Sequence, residues 1–260
     1  MCNGHWLLKQ ISKFGLILMM GVSMNADAGL FGVGGTNWKE EVLLHDGSRI
    51  IVERTVERGG RHEIGQQPPY KKQSLLFAMP AAKQEIIWKD DFSEDVGSAN
   101  FLPMLLDIRN GTAYLVVLPM GCLSYNKWGR PNPPYVVFKY QGSGWQRIPL
   151  QELPAEIKTP NLIFSDPDNV VKKIGKNLIP ADTIQQIISR YRQPEYKTIL
   201  REAYPGAAGG CSEMIHTKDG WEGLGFFKHQ LSYEACLKYC ERKGVSPKDC
   251  PCETLFKGAK

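Results

Sequence analysis

The sequence predicts an α+β protein: mainly antiparallel β, arranged as a sandwich-like meander, with a helical, disulfide-stapled C-terminal region. Three observations lead there. Four pairs of strand-like runs follow one another between Trp38 and Ser165, each pair joined by a short turn-forming stretch. Helical periodicity replaces alternation beyond Ser165. Four of the seven cysteines crowd into the stretch from Cys236 to Cys252.

The chain opens with a segment of another kind. Lys9 and Lys13 precede an apolar run of nine residues from Phe14 to Val22, and Ala26-Asp27-Ala28 places small residues where a signal peptidase reads. This is the grammar of a secretory signal peptide, residues 1–28, with cleavage after Ala28. The run is shorter than the roughly 20 residues a membrane-crossing helix needs. Cys2 precedes the run and is no lipoprotein cysteine. No later segment approaches transmembrane length, so the expectation is a periplasmic or secreted protein with no transmembrane segment after cleavage. Loss of Lys9, Lys13 and Asp27 takes 32 basic and 27 acidic side chains to 30 and 26, a formal charge of +4 without any Lys/Arg block. Nucleic acid therefore has no electrostatic footprint here.

Residues 29–37, "GLFGVGGTN", read as a flexible glycine-rich leader and lack the G-x-G-x-x-G of a nucleotide-binding loop. The β domain spans 38–165. "EEVLLHDGSRIIVERTVER" is two strand-like runs around Asp46-Gly47, a strong hairpin signal. "QSLLFAMP" and "QEIIWKD" form the second pair. "PMLLDI" and "TAYLVVL" flank Arg109-Asn110-Gly111, and "YVVFKY" and "WQRIPL" flank Gln141 to Gly144. The stretch has no blade-length repeat, so a sandwich is preferred to a propeller.

The region 166–260 is helical and cysteine-containing. Asp166-Pro167-Asp168-Asn169 reads as a turn. "ADTIQQIISRYR" places Ile184, Ile187, Ile188 and Tyr191 on one helical face, with Asp182 as N-cap, and Pro194 ends it. "EYKTILREAY" reads as a further helix. Ser232 caps "YEACLKYCERK", and Gly244 terminates it.

That last helix carries the cysteines. Cys236 and Cys240 stand at i and i+4, about 6 Å apart along the axis. Pro251 holds Cys250 extended, which puts Cys250 and Cys252 on one face of a strand, about 6.6 Å apart. The spacings match, so two rungs are expected, Cys240–Cys250 and Cys236–Cys252. By elimination Cys122 pairs with Cys211. Six cysteines remain after cleavage, and an even number in an oxidising compartment favours disulfides over zinc, which prefers C-x2-C knuckles. A reactive C-x-C dithiol at Cys250 and Cys252 is the other alternative.

No catalytic or cofactor motif is present: no H-E-x-x-H, G-x-S-x-G, P-loop or C-x-x-C. No catalytic residue, metal or cofactor is therefore assigned. Four histidines survive cleavage. His45 falls beside a hairpin turn, where exposure is expected, His62-Glu63 lies in a polar connection after "ERGG", and His216 and His229 belong to no motif. The acidic run Asp90 to Asp95 lacks EF-hand spacing and reads as a solvated connection. The candidate binding surface is the stretch Cys122 to Tyr140. There Tyr125, Asn126, Trp128, Arg130 and Tyr135 set aromatic faces among hydrogen-bonding groups and prolines, as recognition of a peptide, a glycan or an envelope protein requires. The competing reading turns Trp128 and Tyr135 inward.

From Phe101 to Ser165, "FLPMLLDIRNGTAYLVVLPMGCLSYNKWGRPNPPYVVFKYQGSGWQRIPLQELPAEIKTPNLIFS" resembles a family of uncharacterised exported proteins of Gram-negative bacteria, with a weaker likeness over Trp38 to Gln66. The resemblance implies a periplasmic setting and no assigned activity. The expected role is a non-enzymatic binding or interaction protein of the cell envelope. The alternatives are a periplasmic hydrolase with a site assembled from distant residues, and a thiol-active envelope protein.

Overall fold

Each of the four expected hairpins forms. In the computed structural model, which describes residues 35–80 and 84–256, they are β1 (Thr36–Leu43) with β2 (Arg49–Arg58), β3 (Tyr70–Ala78) with β4 (Glu85–Asp91), β5 (Phe101–Arg109) with β6 (Thr112–Pro119), and β7 (Val136–Tyr140) with β8 (Trp145–Ile148). The stretch expected to be a signal peptide, residues 1–28, lies outside the described residues. Thr36 and Asn37, expected in the flexible leader, are the first rungs of β1, opposite Val56 and Thr55. At the β5–β6 turn Asn110 and Gly111 both adopt positive φ, 49° and 73°, the geometry whose twist matches antiparallel strands.

The hairpins assort into two antiparallel sheets, ordered β4-β3-β2-β1 and β5-β6-β7-β8. The first is buried on one face only. Trp38, Glu40 and Val42 on β1, and Val52, Arg54 and Val56 on β2, point inward, while their neighbours are more exposed. The second sheet is covered on both faces, and β5 and β6 are buried almost without interruption. Val42, Val52, Leu75, Phe77 and Trp88 share one apolar cluster with Leu106, Leu115 and Val117. Leu105, Val116, Val137 and Ile157 join a second cluster with Ile184, Ile188 and Ile199 from the C-terminal region.

The C-terminal region departs from expectation in three places. Asp166-Pro167-Asp168-Asn169 opens a helix, α2 (Pro167–Ile174), with Asp166 at φ 53° and Pro167 in the first turn, where a proline lacks no needed donor. The next segments are β9 (Leu178–Ile179), which adds to β1 in parallel, and α3 (Ala181–Ser189), whose N-cap is Pro180, with Asp182 inside the first turn. Glu195 to Tyr204 is not a helix; only Pro194–Tyr196 makes a 3-10 turn. Arg201 explains why. Its guanidinium donates to the carbonyls of Leu150, Leu153, Pro154 and Ile157 at 2.8–3.2 Å, and Ile199 N donates to Lys158 O. Tertiary bonds outcompete local helix propensity.

Buried polar groups join the layers. Glu40 and Arg54 are 0% and 1% exposed, and Arg54 Nη1 lies 3.0 Å from Glu40 Oε1. Trp38 Nε1 donates to the same carboxylate at 2.7 Å. Both members of the pair also bind one residue of the segment that leaves the second sheet: Arg54 Nη1 donates to Ile163 O (2.8 Å), and Glu40 Oε2 accepts from Ile163 N (3.1 Å). Two residues earlier, Asn161 bonds both the N–H and the C=O of Leu106 on β5 and donates to Leu43 O on β1. Further along, Arg58 grips Asp168 with two hydrogen bonds of 2.8 Å and lies 4.0 Å from the Tyr70 ring centroid. Burial pushes the Asp168 carboxyl up, but Arg58 and Tyr70 more than offset it and hold it below its ordinary value.

Removing one member of the buried pair strands the other. Arg54→Met should lower the unfolding free energy by about 3–5 kcal/mol, and the double variant Glu40→Gln/Arg54→Met should recover part of that loss. Denaturant unfolding with an unchanged slope checks both; equal losses in the two variants would refute the pairing account.

Candidate functional site

The residues proposed from sequence as a recognition loop are brought together, but as interior. Gly121–Lys127 is a short helix, α1, and Tyr125, Asn126 and Tyr135 are 6%, 9% and 4% exposed. Asn126 Oδ1 accepts from Met214 N (2.9 Å), and its Nδ2 donates to Ser212 O (3.0 Å) and Cys122 O (2.8 Å). Arg130 donates to Ser212 O and Cys211 O, each at 3.0 Å. Trp128 packs against Phe101 with ring centroids 4.6 Å apart, and its Nε1 donates to Asn100 Oδ1. Tyr135 donates its hydroxyl hydrogen bond to the Glu195–Thr198 backbone. These groups dock the segment 211–214 against α1, beside the Cys122–Cys211 pair. The inward reading holds for Tyr135, whose buried hydroxyl finds backbone partners, while Trp128 is half-buried against Phe101.

Of the acidic run, Asp91 and Glu94 are exposed as expected, while Asp90 is absorbed into the fold. Asp90 is 5% exposed and accepts from the backbone of Asn100 and Phe101 and from the side chains of Gln73 and Asn100. Burial still pushes its carboxyl up. Asp95 pairs with Lys127 at 2.8 Å. Of the histidines, His62, His216 and His229 are exposed.

His45 differs. Its Nδ1 is 2.6 Å from Asp107 Oδ1, and its backbone N–H donates to Asp107 Oδ2 at 3.0 Å. Asp107 lies on β5 and is 3% exposed; the His45 side chain is 19% exposed. Burial raises the Asp107 carboxyl above its ordinary value, against the opposing pull of the His45 hydrogen bond and charge. The pair lines a cleft of about 390 Å³ together with Glu156, Lys158, Thr159 and Gln185. Gln185 donates to Pro160 O, and Glu156 is ion-paired with Arg109. The Lys158 ammonium and Thr159 hydroxyl have no partner among the described residues. The sequence does not announce this site: His45 resembles any hairpin residue, and Asp107 stands 62 positions away. A signal existed: an aspartate inside "PMLLDI" is out of place in a run that otherwise reads as core.

The cysteines pair as the spacing indicated, with Cα separations of 5.2 Å for Cys122–Cys211, 5.7 Å for Cys236–Cys252 and 5.9 Å for Cys240–Cys250. The expected returning strand is absent. Cys236 and Cys240 lie on α5 (Tyr233–Arg242), after β10 (Met214–Thr217), β11 (Gly220–Gly223) and α4 (Leu224–Lys228), while Cys252 begins a last helix, α6 (Cys252–Phe256). Phe227, Cys236, Cys240, Val245 and Cys252 make a small core of their own. No helix among the described residues is long and apolar enough to cross a membrane. No protein-family model, curated protein or solved structure matches the chain.

Two outcomes follow. Arg130→Ala should reduce hydrogen-exchange protection of the Met214 amide by about tenfold; unchanged protection would mean that Arg130 is free for another role. In His45→Ala, the Asp107 carboxyl should titrate at still higher pH, read by carbon NMR of the carboxyl. The sign for stability also follows. A carboxyl whose folded value lies above its unfolded value of about 3.9 contributes stability below that pH and loses it as pH rises through the folded value.

Proposed function

We propose that this chain is a non-enzymatic binding protein of a Gram-negative cell envelope, working in the periplasm after loss of its signal peptide. Its ligand is a short polar peptide segment seated in the His45–Asp107 cleft. The three cysteine pairs at bonding distance support export. So does the likeness of Phe101 to Ser165 to exported proteins.

The observation that carries the reading is the cleft's composition. An imidazole fixed from below, an unpaired ammonium, a carboxylate and a hydroxyl converge on about 390 Å³. That is within the range of ~300–1,000 Å³ usual for small-ligand sites. Donors and acceptors of both charges suit a peptide backbone with a polar side chain. A glycan site would be expected to carry an aromatic platform, and no aromatic side chain lines the cleft.

Hydrolysis is the second reading, and the same hydrogen bond favours it: a carboxylate holding one imidazole nitrogen leaves the other as a base. Among the described residues, no hydroxyl or thiol is hydrogen-bonded to the His45 ring, which supports binding over nucleophilic catalysis.

A library of short peptides screened by NMR shift perturbation should perturb residues around His45 and Lys158, and neutral oligosaccharides should not. Lys158→Ala should weaken the best peptide by about tenfold, or 1.4 kcal/mol, without changing thermal stability. Perturbations centred on Tyr125 and Arg130 instead would overturn the site. Peptide cleavage lost in His45→Ala would establish the hydrolase.

A further inference from the structure

The two C-terminal disulfides are not separate staples. Cys252 Sγ lies 3.6 Å from Cys240 Sγ and 3.3 Å from Cys250 Sγ, so the sulfurs of one bridge touch those of the other. Cys236, Cys240 and Cys252 also keep their sulfurs within 4.8 Å of one another. Disulfide exchange proceeds by attack of a thiolate on a disulfide sulfur, at a rate set by the thiolate, the leaving thiol and access to the sulfur attacked. Accessibility is graded across the four. Cys236, Cys240 and Cys252 are 0%, 3% and 0% exposed, whereas Cys250 is only partly buried. A thiol arriving from solvent therefore meets Cys250 first.

We infer that these four sulfurs form a disulfide-exchange relay, entered at Cys250 by a small thiol and ending with Cys236 as the released thiol. The external thiolate attacks Cys250 Sγ; a mixed disulfide forms there and the Cys240–Cys250 bond breaks, with the electron pair leaving on Cys240. The Cys240 thiolate then attacks Cys252 Sγ, 3.6 Å away. The Cys240–Cys252 bond forms, the Cys236–Cys252 bond breaks, and Cys236 leaves as thiolate. The proton lost by the incoming thiol ends on Cys236. The number of disulfides rises by the mixed one and falls by one internal bridge, so no further oxidant or reductant is consumed. The site thus moves one oxidising equivalent from the inside of the C-terminal core to its surface, which goes beyond peptide binding in the cleft.

Cys122–Cys211 supplies an internal control. It joins α1 to the 211–214 segment, with Cys122 exposed, and no third sulfur is in contact with it among the described residues. Its opening must leave a mixed disulfide on one cysteine and a free thiol on the other.

The experiment is glutathione titration of the oxidised full chain under native conditions, with rapid alkylation and disulfide mapping by mass spectrometry. The expected product of the cluster carries glutathione on Cys250, a Cys240–Cys252 bridge and alkylated Cys236, with Cys240 unlabelled. In the Cys236→Ala/Cys252→Ala variant, alkylation should move entirely to Cys240; should that variant not fold, the wild-type map decides alone. Alkylated Cys240 beside an intact Cys236–Cys252 bridge overturns the relay. Resistance of both cluster bridges at glutathione concentrations that open Cys122–Cys211 overturns it as well.

Discussion

The fold depends on one buried contact, the Glu40–Arg54 pair and its two bonds to the backbone of Ile163. Charges placed inside a sandwich are costly to desolvate, and apolar residues of similar volume would often give equal stability. What apolar residues would not give is register. A chain lying on an oily surface can slide by one residue at little expense. A chain whose N–H and C=O are claimed by a carboxylate and a guanidinium cannot. Fixing Ile163 sets Asn161 against Leu106 and Leu43, and sets Asp166 and Asp168 against Arg58. It also sets where residues 156–159 must lie, which is the rim of the cleft.

Sequence made the β architecture legible because its signals were local. Asp46-Gly47 and Asn110-Gly111 demand tight turns, and alternating burial on β1, β2 and β4 follows a period that can be counted. The helix of Tyr233–Arg242 was legible for the same reason: Ser232 accepts from Ala235 N, and Gly244 takes φ 68° as the terminating residue. Glu195 to Tyr204 misled because its fate is decided by partners more than forty residues away, at Leu150 to Ile157. The cysteine pairing was found with an incorrect picture of one partner. The i, i+4 spacing on the helix dictates two bridges side by side, whether the other two cysteines lie on a strand or, as here, at the start of α6.

The aromatic stretch and the cleft show the limit from opposite directions. Tyr125, Trp128 and Arg130 have the composition of a recognition surface, and composition carries no direction. In the fold Arg130 satisfies carbonyls at 211 and 212 and lies over the buried Tyr125 ring, and Trp128 packs on Phe101. His45 and Asp107 stand 62 positions apart, and the misplaced aspartate of "PMLLDI" does not by itself name its partner. Only the stacking of two sheets brings a hairpin turn over a strand that is buried on both faces. An aspartate in such a strand requires a partner, and the partner is the site.

That requirement also makes the cleft rigid. Four chain segments form it, the fourth being Gln185 on α3, and the turn, Asp107 and the rim are each tied through backbone groups. The turn is held by His45 N on Asp107 and by Leu44 N on Ser48 O. Asp107 itself is anchored by the N–H of Ile108. The rim is held by Ile199 N and Thr198 Oγ1 on Lys158 O, and by Gln185 on Pro160 O. Ordering these groups has already been accomplished by folding, so a ligand that meets them loses little further entropy on their account. A shallow cleft without aromatic walls buries too little apolar surface to bind by area alone. Preorganised polar groups are what it offers, and the proposed peptide ligand would meet them with donors and acceptors held at the fixed spacing of a backbone.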